Sequence, residues 1–259
     1  MTSAAQLTRR ELGALLDELL EPAKFNDVAE NGLQVEGRAE VRRVVCGVTA
    51  NLALIDAAIA SGADAIVVHH GLVWGGGIRR LDGWLKTRVE RLMRHGISLF
   101  AYHLPLDAHP EIGNNAGLAR ALGVTQLEPF GRYKGQLIGL RGVLEPTASL
   151  PGLVERARKG VVGDNDAVFA FGDRALARRT IGLCTGGAPD LLHDAVAAGL
   201  DVYVTGEVTE YVKAVAEESG TGFVALGHHA SERFGARALA EHLCTRGVAA
   251  TFVDVENPA

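Results

Sequence analysis

Eight side chains suited to binding a metal ion or moving a proton stand at or just beyond the ends of apolar, β-branched runs. His69 and His70 close A-I-V-V-H-H. His103 and Asp107 follow S-L-F-A-Y in H-L-P-L-D, and Glu207 follows V-Y-V-T-G. His228, His229 and Glu232 follow G-F-V-A-L-G in H-H-A-S-E. Neutral imidazoles and carboxylates together are ligands for hard-to-borderline divalent ions such as Zn2+, Mn2+ and Fe2+. Two such ions close together repel and need an anion shared between them, a demand that Asp107 and Glu232 fit. Neighbouring residues of a strand point to opposite faces, so His69 and His70 are expected to diverge, one towards each ion.

Each residue also has a plainer reading. His103 could hydrogen-bond a backbone carbonyl in its own turn, or support a ligand from behind. Glu207 could be a carboxylate at a helix end. Of His228 and His229, one is expected to point inwards and the other away. His95, His109, His193 and His242 read as helix or loop surface histidines. The triple glycine at 75–77 is followed by no Gly-Lys-Ser/Thr, so it is no phosphate-binding loop; a flexible turn is expected, with a flap over the site as the alternative.

Positioning these residues requires alternating strands and helices. Thr8-x-x-Glu11 is a capping box, and Leu12, Leu15, Leu16 and Leu19 follow at helical spacing. A polar loop, F-N-D-V-A-E-N-G-L-Q-V-E-G, leads to a strand near 43–48. Asn51 then caps a helix that runs to Ser61 and ends at Gly62, and the strand closing on His69 and His70 completes a βαβ unit. The pattern recurs. R-R-V-V-C-G-V-T-A (42–50) resembles R-R-T-I-G-L-C-T-G (178–186), and 54–70 aligns without gaps against 191–207 with six of seventeen positions identical. An internal duplication is expected. His-x-x-x-Asp and His-x-x-x-Glu extend the parallel, each followed by a helix and a final strand near 124–130 and 248–254. Between the copies lie a glycine-rich strand region at 135–144, a helix after Pro151 and a strand at 167–171. Such alternation indicates an α/β fold with mostly parallel sheets, whose ligands gather beyond the carboxyl ends of strands. A dinuclear metal site in a cleft between the repeats is the economical expectation.

The bulk properties agree with an α/β protein of one large or two small domains. The chain has 259 residues and a net charge of −5, which argues against a general nucleic-acid surface. Three cysteines, Cys46, Cys184 and Cys244, form no CxxC pair and no disulfide framework. The opening M-T-S-A-A-Q-L-T-R-R-E has no apolar leader and no later apolar run reaches membrane-spanning length, so a cytoplasmic protein without a membrane partner is expected.

The blocks V-V-H-H-G-L-V-W-G-G, H-L-P-L-D-A-H-P-E-I-G-N-N-A-G-L-A, T-G-E-V-T-E-Y and G-H-H-A-S-E-R-F-G, with E-N-G-L-Q-V-E-G near the start, resemble the signature blocks of the NGG-one-interacting-factor-three family. Its bacterial members are known as type 2 homologues of GTP cyclohydrolase I. The resemblance covers nearly the whole chain. It implies two interlinked αβα domains, expected at 1–130 plus 221–259 and at 131–220. It also implies a ring-shaped hexamer and two divalent ions (Zn, Fe or Mn) per chain, held by His69, His70, Asp107, His228 and Glu232. A hydrolase acting on a nucleotide-like small molecule is the expected function, with His103 or Glu207 moving the proton. The rival expectation is a non-enzymatic, metal-binding partner protein.

Overall fold

The structure, a computed structural model, describes residues 7–163 and 167–259. Residues 1–6 of the opening M-T-S-A-A-Q-L-T-R-R-E lie outside the described residues. The chain begins β1 (Leu7–Thr8), α1 (Arg9–Leu20), β2 (Gly32–Val35), β3 (Glu40–Val41), β4 (Arg43–Thr49), α2 (Leu52–Ser61), β5 (Ala65–His70), α3 (Gly83–His95) and β6 (Ser98–Ala101). It continues with α4 (Leu104–Ala108), α5 (Asn114–Leu122), β7 (Val124–Tyr133), β8 (Gln136–Ala148), α6 (Leu150–Gly160), β9 (Phe169–Phe171) and β10 (Arg178–Leu183). Last come α7 (Leu192–Ala197), β11 (Val202–Thr205), α8 (Val212–Ser219), β12 (Gly222–Ala225), α9 (His228–Thr245) and β13 (Ala249–Phe252). Among the described residues no helix is long and apolar enough to cross a membrane.

Two compact units are present. The first runs to Leu106 and takes back Gly235–Glu256; the second comprises Asp107–Phe234 with Asn257–Ala259. Residues 107–130, 221–234 and 257–259, expected with the first domain, fall in the second unit. Hydrogen bonding explains this: β7 pairs with β8, and β12 with β11.

The first unit holds a five-stranded sheet in the order β13-β4-β5-β6-β2, parallel except for β2 at one edge. Helix α1 starts from the expected capping box, with Thr8 and Glu11 exchanging hydrogen bonds, and buries Leu12, Leu16 and Leu20. Asn51 caps α2 and Gly62 ends it in the left-handed conformation, as its sequence implies. Leu54, Ile55 and Ala58 of α2 and Val89 and Leu92 of α3 pack with Val45, Ile66, Val68 and Leu99 of the sheet. Burying each of the larger side chains contributes about 1.5–3 kcal/mol.

The second unit is more mixed. Its six strands run β7-β8-β10-β11-β12-β9, with β10, β11 and β12 parallel and the β7–β8, β8–β10 and β12–β9 pairings antiparallel. Mostly parallel pairing thus holds for the first sheet and for the centre of the second. The antiparallel edge comes from a hairpin: Lys134 and Gly135, both at positive φ, form the two-residue loop between the paired Tyr133 and Gln136.

Each unit pins its parallel strands in the same way. In the first, Asp64 Oδ2 accepts the backbone N–H groups of Arg42 and Arg43, while its backbone carbonyl accepts Ser98. In the second, Asp201 Oδ2 accepts those of Arg179 and Thr180, and its carbonyl accepts Gly222. Asp64 and Asp201 are one of the identities in the ungapped alignment.

Candidate metal centre

In the first unit, His69, His70 and His103 converge. One ring nitrogen from each lies within 4.8 Å of those of the other two. Strand β5 delivers the first pair at its carboxyl end, and His103 follows β6, the next strand in the sheet. The expected divergence of His69 and His70 is not what the fold does: their ring centroids are 4.5 Å apart. Alternation along a strand fixes only the Cα–Cβ direction, and rotation about χ1 and χ2 brings the two rings back together.

Each imidazole is engaged through Nδ1. That of His69, fully buried, donates to the Tyr102 carbonyl at 3.1 Å. His70 Nδ1 lies 3.3 Å from Thr49 Oγ1, across the β4–β5 pairing. His103 Nδ1 donates to Asp27 Oδ1 at 2.8 Å. The tautomers of His69 and His103 follow from their partners, since a carbonyl and a carboxylate only accept, whereas the Thr49 hydroxyl can donate to or accept from His70. An imidazole whose Nδ1 donates in this way would present Nε2 to a metal ion or a proton, the usual arrangement behind metal-bound histidine. The donor set therefore fits a borderline divalent ion.

Asp27 is a functional candidate that the pattern of strand ends does not single out. Its carboxylate is 3% exposed. Besides His103 it accepts the N–H groups of Val28, Ala29 and Leu104 and the amide of Asn31. Burial would raise its pKa, but the His103 hydrogen bond and charge, with those of Asn31 and Ala29, outweigh burial and hold the carboxyl well below the usual range. Its signal was the polar stretch N-D-V-A-E-N-G, whose partner residue is 76 positions further on.

The expected glycine turn is restrained over most of its approach. Gln34 Oε1 accepts the N–H groups of Leu72 and Val73, and Trp74 forms a bridge to Ala29. Gly76 and Gly77, both exposed and at positive φ, make the turn itself. Trp74 stands beside the imidazoles, 5.2 Å from His103 and 5.9 Å from His70 between ring centroids.

In the second unit the carboxylates gather around the loop after β10. Asp107 is buried, and its Oδ1 accepts the Asn114 amide at 2.9 Å and the Thr185 hydroxyl at 3.1 Å. Asn115 ties that loop to the sheet, donating to the Asp107 and Ile138 carbonyls and accepting the Thr185 N–H. Helix α9 begins at His228, so Glu232 lies one turn inside it and is 2% exposed. His228 Nδ1 donates to Glu207 at 2.6 Å, and its Nε2 is 3.1 Å from Glu232. Burial would lower the His228 pKa, but Glu232 and then Glu207 push it up to about 9. His229 is buried, and its backbone N–H donates to the Ala259 carbonyl.

Gly186, at φ +68°, lies so close to this group that a Cβ there would fall on Glu232 Oε1 and 3.2 Å from His228 Nε2. Burial first, then the negative charges of Asp107 and Glu232, raise the Cys184 pKa well above its ordinary value, so it is present as a thiol. The remaining histidines sit elsewhere. His95 and His193 are exposed, with His193 stacked on Tyr211; His109 Nδ1 accepts two backbone N–H groups of its own loop; His242 lines a groove with Leu15 and Arg246.

A mixed α/β fold with imidazoles and carboxylates at the carboxyl ends of its strands defines a class of protein able to hold a metal ion at those ends. The family model of Duf34/NIF3 (NGG1p interacting factor 3) matches residues 7–258, and the chain belongs to that family. A Pseudomonas aeruginosa protein named GTP cyclohydrolase 1 type 2 homolog is 44% identical over 245 residues, covering 94% of this chain and 95% of its own. One of the same name from Escherichia coli K12 is 41% identical, covering 96% and 98%. Among solved structures, protein ybgI, of unknown function, superposes with a TM-score of 0.91 at 38% identity, covering 98% of this chain and all of its own. A Thermus thermophilus protein gives 0.85 at 37%, covering 97% and 99%.

Proposed function

We propose that the protein binds two divalent ions per chain (zinc, iron or manganese) through His69, His70, Asp107, His228 and Glu232, and hydrolyses a nucleotide-like small molecule. The observation that carries this reading is the convergence of the His69 and His70 rings, with His69 Nδ1 donating to the Tyr102 carbonyl so that its Nε2 would be the ligating atom. Asp107 and Glu232 add the anionic oxygens that two cations require. When bound, the ions would supply Lewis acidity. His103, held by Asp27, would move a proton, and Glu207 could do so through His228. The names of the bacterial relatives support a nucleotide as substrate class. The matched roles of Asp64 and Asp201 support an origin by duplication. We further infer a cytoplasmic homo-oligomer, a hexamer, with neither a membrane nor a nucleic-acid partner. Light scattering at micromolar concentration tests the assembly.

The function is tested with protein purified without chelator and reconstituted with metal. Elemental analysis should find two ions per chain, and turnover of GTP or simple phosphoesters should disappear in Asp107→Ala. One ion or fewer would overturn the dinuclear centre. Two ions without turnover of any such substrate would favour a non-enzymatic metal-binding partner protein.

A further inference from the structure

We propose that Asp27 is the positioning residue of His103: it fixes the imidazole in the Nδ1–H tautomer, so that Nε2 faces the reaction with its lone pair. The proposal rests on the reading of His103 as the proton-moving group, and names the residue that equips it for that task.

Three observations carry it. The Asp27–His103 bond is 2.8 Å long and its carboxylate is buried, so water competes poorly for either partner. The two oxygens of Asp27 are held from several directions: Oδ1 by the N–H groups of Val28 and Ala29, Oδ2 by Leu104 and by Asn31 Nδ2. Asn31 also accepts the backbone N–H of His103, so backbone and ring are fixed by one network. Finally, His103 is packed by rings, with His69 at 5.0 Å and Trp74 edge-on at 5.2 Å between centroids. A free imidazole in water prefers the Nε2–H tautomer, which would present a donor where a proton acceptor is required. Accepting from Nδ1 reverses that preference. The same division of labour between carboxylate and imidazole operates in serine hydrolases.

Long-range 1H–15N correlation of the full-length, histidine-labelled protein reads the tautomer without any substrate, with His103 assigned by its absence in His103→Gln. The wild type should show a protonated Nδ1 and a bare Nε2. Asp27→Ala should convert His103 mainly to Nε2–H while leaving His69 unchanged, because His69 is held by Tyr102. A wild-type His103 carrying its proton on Nε2, or an unchanged tautomer in a folded Asp27→Ala variant, would overturn the proposal. Should Asp27→Ala not fold, the wild-type spectrum decides alone. Failure of the hydrolase reading would show separately, as absent turnover in a wild type whose tautomer is as expected.

Discussion

His228 Nε2 and Glu232 Oε2 lie 3.1 Å apart, one turn from each other on α9. The pair is an i, i+4 contact, and an imidazole nitrogen and a carboxylate oxygen at that separation would both suit a divalent cation. A carboxylate at 232 offsets positive charge; an amide of equal shape does not. Glu232→Gln should therefore lose one ion or both with the fold intact, while His229→Ala should keep both. Calorimetric titration of metal into the two variants measures this, and wild-type stoichiometry in Glu232→Gln would remove Glu232 from the ligand set.

A second prediction separates holding a ligand from holding the fold. The Asn114 side chain donates to Asp107 Oδ1, whereas that of Asn115 satisfies three backbone groups. Asn114→Ala should weaken metal binding about 10–100-fold, the usual effect of removing a residue behind a ligand. Asn115→Ala should instead destabilise the protein by about 3 kcal/mol, because buried backbone groups lose their partners. Competition with a chromophoric chelator and urea denaturation distinguish the two.

Asp201 supplies a pH-dependent contribution to stability. Burial would raise its pKa, but the N–H groups of Thr180 and Arg179, the Thr180 hydroxyl and the charge of Arg178 lower it. A carboxyl depressed in the folded state stabilises above its ordinary pKa, and the contribution fades as the pH falls through the folded value. Asp201→Ala should cost about 1–3 kcal/mol near neutrality. Its difference from wild type should shrink as the pH drops below about 4. A difference that stays constant in urea titrations across that range would contradict this account.

These residues also show what a sequence makes legible. Thr8, Glu11, Asn51 and Gly62 act on neighbours within a turn, so their roles could be read directly. The positions of His69 and His103 at strand ends, and of Glu232 in the first turn of the helix after β12, follow from the same local grammar. Asp27 does not: its role depends on His103, whose approach is set by the β2–β6 pairing and not by spacing. The β7–β8 hairpin is local, but the antiparallel pairing of β8 with β10 was hidden for a similar reason. Gly131, Gly135 and Gly139 mark turns and close approaches, but which strand β8 joins is decided by packing at a distance.

The last prediction concerns Gly186. Its φ of +68° suits glycine, and its backbone is fixed from three sides: its N–H donates to Ser231 Oγ, and its carbonyl accepts the Gly206 N–H and the Thr205 hydroxyl. The loop cannot retreat without breaking those bonds, so a Cβ at 186 must displace Glu232. Gly186→Ala should cost about 1–2 kcal/mol for the left-handed backbone. It should also reduce metal uptake to the level of Glu232→Gln, although no ligand has been changed. The double variant Gly186→Ala, Glu232→Gln should bind no less metal than Glu232→Gln alone, since both act through one carboxylate. Metal stoichiometry beside thermal denaturation measures both effects. A folded Gly186→Ala protein with full metal content would show that Glu232 does not need the position it holds in this structure to bind metal.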